Sequence, residues 1–126
     1  EVVDGQKLSA FFDSSVGKRL LNSQHIFKEY EFSVLKKAKD LYNDLPQEAL
    51  DEEIVVQGKL DCAFVENGKI ILIDYKTDKS TKEEYYINTY SPQLRIYSEA
   101  IEECTGLNVA EVYVYSFSLD KFIEIN

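Results

Sequence analysis

Val55-Val56-Gln57-Gly58-Lys59-Leu60-Asp61-Cys62-Ala63-Phe64-Val65, followed by Glu66-Asn67-Gly68-Lys69 and then Ile70-Ile71-Leu72-Ile73-Asp74-Tyr75-Lys76, reads as two strands joined by a tight turn. Both flanks are rich in β-branched and aromatic residues, and Asn-Gly is the strongest short-range signal for a two-residue type I′ hairpin. That turn sets the register: Asp61 faces Asp74, and Lys59 faces Lys76. Directly opposed side chains have Cβ atoms roughly 5 Å apart. Two negative charges at that distance repel by about 3 kcal/mol at an effective dielectric near 20. A divalent cation between them would remove the repulsion. Along the second strand Asp74 and Lys76 point to one face and Tyr75 to the other, so Asp61, Asp74 and Lys76 converge on one patch. The alternative is a surface ladder of acids and bases, Lys59–Asp61 against Asp74–Lys76, held by weak exposed ion pairs.

Both faces of this hairpin are apolar. Ala63, Val65, Ile70 and Leu72 line one, and Leu60, Cys62, Phe64, Ile71 and Ile73 the other. A strand pair of that kind is covered on both sides, as in a layered α/β domain. The flanking segments fit. Leu8, Phe11 and Phe12 have helical spacing over Lys7–Phe12, Ser14-Ser15-Val16-Gly17 breaks the pattern, and Lys18–Asn22 suits a further helical turn. His25–Leu35 reads as a strand with an irregularity near Tyr30, and polar Lys36–Glu53, with Pro46 inside it, as a loop holding one helical turn. Thr77–Tyr90 reads as a charged connection with a helical stretch around Lys82–Tyr86. Ser91-Pro92 is a helix start, Ser as cap and Pro at the first position, and Gly106 is the stop after Cys104. Val109–Phe117 and Phe122–Ile125 complete the set as strands, parted by a turn at Leu119-Asp120. The order α, β, β, β, α, β, β describes a mixed sheet with helices on its faces.

At 126 residues the chain is one domain, and 44% hydrophobic and 13% aromatic residues suffice for a single core. No apolar run approaches the length of a transmembrane helix, and Glu1-Val2-Val3-Asp4 has neither basic nor apolar signal-peptide character. Cys62 and Cys104 are not in a Cys-x-x-Cys pair and read as two buried thiols. A net charge of −9 excludes a general nucleic-acid-coating protein. It does not exclude a nuclease site, whose metal ligands are themselves acidic, but the phosphate grip would have to come from other polypeptide. Gln93 and Tyr97 lie one turn apart on one helix face. They form either a polar edge toward a substrate backbone or a buried tyrosine whose hydroxyl the glutamine satisfies.

Gly58-Lys59-Leu60-Asp61, Asp74-Tyr75-Lys76-Thr77-Asp78 and Gln93-Leu94-Arg95-Ile96-Tyr97 resemble the G-x-x-D, D-Y-K-T and Q-x-x-x-Y motifs of RecB-type nucleases in the PD-(D/E)xK superfamily. The nearer resemblance is to the nuclease domains that end AddA-type (RexA-type) helicase–nuclease subunits. Lys28-Glu29-Tyr30-Glu31-Phe32 resembles their R-E-x-P-F segment, and Phe11–Arg19 the stretch before it, so the likeness covers nearly the whole chain. The resemblance implies a restriction-endonuclease-like α/β core and Mg²⁺-dependent hydrolysis of DNA. Asp61, Asp74 and the Tyr75 carbonyl would be metal ligands, Lys76 the catalytic lysine, Gln93 and Tyr97 a supporting edge toward DNA, and Glu29 a supporting residue. It implies as partners a second, AddB-type protein and the rest of an AddA-type chain, which would carry the ATP site, in the bacterial cytoplasm. One departure stands out. The family's metal-binding histidine lies on a helix well upstream, whereas the only histidine here, His25, sits four residues before Glu29 and reads as a solvent or strand residue. The chain is then expected to lack the first helix of its domain. Rival readings are another RecB-like nuclease, though the iron–sulfur type needs four cysteines, and a degenerate module that only binds DNA or a partner.

Overall fold

The computed structural model describes residues 11 and 13–125. The helix expected over Lys7–Phe12 lies outside them, apart from Phe11. Five strands form one sheet in the order β1 (Ile26–Lys37), β2 (Glu53–Glu66), β3 (Lys69–Lys76), β4 (Val109–Ser116) and β5 (Lys121–Glu124). All neighbours are antiparallel except β3 and β4, which run parallel and are joined across the long helix α3 (Glu83–Thr105). Helix α1 (Ser15–Asn22) precedes β1, and one-turn α2 (Ala38–Leu41) and a 3-10 turn at Gln47–Ala49 fill the polar connection to β2. This is the mixed-sheet α/β architecture of the restriction-endonuclease-like fold.

The β2–β3 turn is as its sequence requires. Asn67 and Gly68 have φ of 53° and 76°, both positive as in a type I′ turn. The register follows through Val65–Ile70, Phe64–Ile71, Ala63–Leu72 and Cys62–Ile73, and there the ladder ends. Asp61 and Asp74 are therefore not ladder partners, and Lys59 does not meet Lys76. Lys59 pairs with Glu31 on β1, and its ammonium lies 3.0 Å from the Glu29 carboxylate. The cause is a break at one level of two ladders. Glu29, the residue opposite Asp61, takes a left-handed φ of 52° and interrupts the β1–β2 pairing between Lys28–Cys62 and Tyr30–Leu60. Past that break Leu60 no longer shares a face with Cys62 and Phe64; it packs with Phe32, Ala63 and Leu72.

Both sheet faces are covered. On one, Phe11, Val16 and Leu20 bury Cys62, Phe64, Ile71, Ile73 and Tyr115; on the other, Ala100 and Ile101 of α3 bury Ala63, Ile70 and Leu72. Ser14 is the cap of α1, not a breaker: its hydroxyl accepts the Gly17 amide at 3.0 Å. The guanidinium of Arg19 then ties that helix to two strands, with one nitrogen 2.6 Å from Glu66 and 2.8 Å from Glu111. The start of α3 also departs from expectation. It begins eight residues before Ser91 and carries Pro92 inside, because Tyr86 anchors the early turns. That ring is fully buried, and its hydroxyl donates to the Asp78 carbonyl at 2.7 Å and accepts from Ser116 at 2.9 Å. Gly106, at φ 75°, ends the helix as expected. Cys62 is buried but Cys104 is exposed, and the two are unpaired. His25 is exposed.

Candidate functional site

The end of β3 brings a charged group into the sheet. Pairing with Val114 of β4 holds Asp74 in place, and its side chain is only 6% exposed. A buried carboxylate needs partners, and two appear. The Lys76 ammonium, two residues along on the same face, is 2.9 Å from Asp74 Oδ2. The Asp61 carboxyl is the second, near enough to hydrogen-bond with that of Asp74. Asp61 is itself fixed: the Tyr75 amide donates to its Oδ2 at 2.8 Å. This bond occupies an amide at the point where the β2–β3 ladder gives way. The side chain of Asp61 thus replaces the lost backbone partner and is turned toward β3 by it.

Burial, and then the neighbouring Asp61, push the Asp74 carboxyl up to about 6, against the opposing pull of Lys76. Two carboxylates with a raised proton affinity are also a pair of hard oxygen donors, the ligand type Mg²⁺ takes, one or two at a time, with water and phosphate completing its shell. The residues present fit such an ion. No third Asp, Glu, His or Cys joins them closely enough to form a metal-holding group among the described residues. On the opposite face Tyr75 lies among Phe11 and Phe117, and burial raises its phenol well above the ordinary range.

Lys76 has a further neighbour that sequence reasoning passed over. Its ammonium stands 4.3 Å from the centroid of the Tyr90 ring. The Tyr90 hydroxyl donates to Asp78 Oδ2 at 2.7 Å, and the Tyr85 hydroxyl to the same oxygen at 2.6 Å. Those two hydroxyls, Tyr85 first, hold the Asp78 carboxyl below its ordinary value. The signal is the i, i+4 spacing of Tyr86 and Tyr90, legible only once the helix is extended upstream through Pro92.

Gln93 and Tyr97 are brought together, the amide nitrogen 3.4 Å from the hydroxyl. No hydrogen bond or ion pair joins either to Asp61, Asp74 or Lys76 among the described residues. Tyr97 instead meets Phe32 edge-on, 4.9 Å between centroids, and covers Gly58. A Cβ at position 58 would lie 2.7 Å from Tyr97 Cζ and 2.9 Å from Phe32 Cζ. The glycine three residues before Asp61 is there to let the Tyr97 ring approach the backbone. Glu29 is exposed and paired with Lys59, away from the aspartates' hydrogen bonds.

A family model described as the PD-(D/E)XK nuclease superfamily matches residues 6–121. The chain belongs to that superfamily. Asp61 followed by Asp74-Tyr75-Lys76 reproduces the acid and acid-x-lysine order that the superfamily name spells out. The ATP-dependent helicase/nuclease subunit of the AddA type from Clostridium novyi (strain NT) is 42% identical over 126 residues, spanning 98% of this chain and 10% of that protein. The protein of the same name from Clostridium botulinum (strain Kyoto / Type A2) is 39% identical over 127 residues, spanning 100% of this chain and 10% of its own length. That of Clostridium botulinum (strain Loch Maree / Type A3) is 37% identical over 127 residues. The chain therefore spans about a tenth of the length of these curated relatives. No helix among the described residues is long and apolar enough to cross a membrane.

Proposed function

We propose that this chain is the nuclease domain of an AddA-type helicase–nuclease, where it hydrolyses DNA phosphodiester bonds with Mg²⁺. The observation that carries the reading is the buried end of β3, where Asp74 meets Lys76 at 2.9 Å and Asp61 is turned onto the same spot by the Tyr75 amide. Asp61 and Asp74 would hold the ion, with the Tyr75 carbonyl as a further oxygen. Bound there, Mg²⁺ would supply Lewis-acid stabilisation of the phosphoryl charge and lower the pKa of the attacking water. Lys76 orients that water and donates to a phosphoryl oxygen as negative charge develops. Burial of Asp74 keeps bulk water from screening this pair. Gln93 and Tyr97 brace the β2 backbone beside Gly58, which sets the position of Asp61 three residues on. Glu29 contributes through the β1–β2 break.

In the whole protein, an ATP-driven motor elsewhere in the chain feeds one strand into this site, with a second, AddB-type protein as partner, during recombinational repair of double-strand breaks in the bacterial cytoplasm. The net charge of −9 supports a division of labour in which other polypeptide grips the DNA. The isolated chain is accordingly weakly active or inactive on single-stranded DNA. The test is Asp74→Ala and Lys76→Ala in the full helicase–nuclease. Cleavage should vanish while ATP-driven unwinding persists, and unchanged cleavage by either variant defeats the assignment.

A further inference from the structure

We infer that Tyr90 is a positioning residue for Lys76: its ring face holds the ammonium at the Asp74 carboxylate, and Asp78 fixes the ring through its hydroxyl. The inference rests on the nuclease reading of Lys76 and deepens it.

A lysine side chain has four freely rotating carbons and a strongly hydrated ammonium, so one ion pair leaves it many alternative positions. Here the side chain is 21% exposed, and solvent is within reach. Two contacts define where the nitrogen sits: Asp74 Oδ2 at 2.9 Å and the Tyr90 ring at 4.3 Å from its centroid. The face of a tyrosine ring carries negative electrostatic potential and attracts an ammonium at that distance. Unlike a second carboxylate, the ring offers no competing anion, so the ammonium stays directed at Asp74 and at whatever charge gathers there.

The ring is itself held from below. Asp78, two residues after Lys76, accepts both the Tyr90 and the Tyr85 hydroxyls on one oxygen, and its backbone carbonyl accepts the Tyr86 hydroxyl. The connection leaving β3 and the first two turns of α3 are thereby locked into one unit. Tyr90 has no need of this lock to pack: Tyr86 and Leu94, both fully buried, already seat the helix on Val114 and Ile123. The lock fixes the orientation of a ring whose face meets Lys76.

The experiment uses the full helicase–nuclease with a labelled single-stranded oligonucleotide and Mg²⁺, comparing Tyr90→Phe, Tyr90→Leu, Tyr90→Gln and Lys76→Ala. Phe keeps the ring without the hydroxyl; Gln keeps a donor for Asp78 without the ring. The Leu and Gln variants should lose about tenfold in kcat, with KM for DNA and ATP-driven unwinding unchanged, and Phe should restore most of the rate. A second readout needs no catalysis. In metal-free protein, reductive methylation of Lys76 followed by mass spectrometry should run several-fold faster in Leu and Gln than in wild type or Phe. If Lys76→Ala abolishes cleavage while Leu and Gln keep wild-type kcat and methylation rate, the positioning role is wrong and the nuclease reading stands. If Phe falls as far as Leu, the ring is not the agent and the inference is overturned. If Lys76→Ala cleaves normally, the nuclease reading fails and this inference with it. Should Leu fail to fold, Gln against Phe decides the same question.

Discussion

Asp74→Asn should stabilise the metal-free chain, and the size of the effect follows from the site. The carboxyl of Asp74 titrates at about 6 in the fold, against an ordinary 3.8. The fold therefore prefers the neutral form, and ionising it costs about 3 kcal/mol more in the folded than in the unfolded chain. The sign is fixed by the direction of the shift. This contribution is fully present below 3.8, is lost as pH rises through about 6, and is absent at neutral pH and above. The attraction of Lys76 is already inside that balance, since it opposes burial and Asp61 in setting the value. Asn is isosteric and never ionises, so it escapes the penalty. Lys76, freed of its partner, still has the Tyr90 ring and solvent within reach.

Urea or thermal unfolding followed by circular dichroism in EDTA should then show the Asn variant more stable than wild type by about 2–3 kcal/mol near pH 8. For a chain of this size that is on the order of 10 °C in Tm. Near pH 4 the two should coincide. Adding Mg²⁺ at a hundredfold excess over its Kd should raise wild type by about 2.7 kcal/mol and leave the variant unmoved. A variant less stable than wild type at high pH, or a difference that ignores pH, would refute the claim that burial and Asp61 load this carboxylate.

Gly58→Ala places a methyl inside contact distance of Tyr97 and Phe32; it should cost about 1–3 kcal/mol in denaturant melts and lower cleavage by the full protein, whereas an unperturbed melt would show that Tyr97 swings away freely. The Glu111 carboxyl is held at about 2, by Arg19 first and Tyr113 second, so its contribution is present above its ordinary 4.5 and lost as pH falls through about 2. Arg19→Ala should remove that acid-limb dependence, and an identical stability–pH slope in the variant would count against the clamp. Pro92→Ala restores an amide donor inside α3, and chemical denaturation should report a gain of about 1–3 kcal/mol; a loss would mean that the proline serves packing rather than interrupting it.

The hairpin at the centre is legible in the sequence because its determinants are local: Asn67-Gly68 admits few turns, and period-two alternation fixes faces as long as the strand stays regular. The register carries through to Cys62–Ile73 and fails one pair further, at Asp61. Glu29 in a left-handed conformation is the reason, and a glutamate does not announce that conformation as a glycine would. Leu60 changes face for the same cause. The start of α3 is hidden because Ser91-Pro92 is a strong local signal, overridden by burial of Tyr86 against residues thirty positions away. Cys104 falls on the apolar face by periodicity, yet it sits near the helix end where α3 no longer covers the sheet, and is exposed. The convergence of Asp61, Asp74 and Lys76 follows from strand geometry, though the route differs from simple cross-strand opposition.

That difference in route has a physical consequence for the pair. Ladder partners would project both carboxylates out of the sheet side by side, each free to turn to solvent, and the Tyr75 amide would be tied to the β2 backbone. With the ladder broken, the amide is offered to Asp61 Oδ2 instead, at 2.8 Å. A charge-assisted bond of this kind is roughly twice as strong as a neutral one, and it removes most of the rotational freedom of the carboxylate. One oxygen of Asp61 is spent on orientation, and the other is presented beside a carboxyl that burial keeps from escaping. The break at Glu29 releases β2 from regular pairing, and the Tyr97 ring on Gly58 holds the released strand in its new course. A donor pair preset in this way resists relaxation in the metal-free protein, which is why its repulsion persists as a raised proton affinity at Asp74 rather than dissipating by rotation.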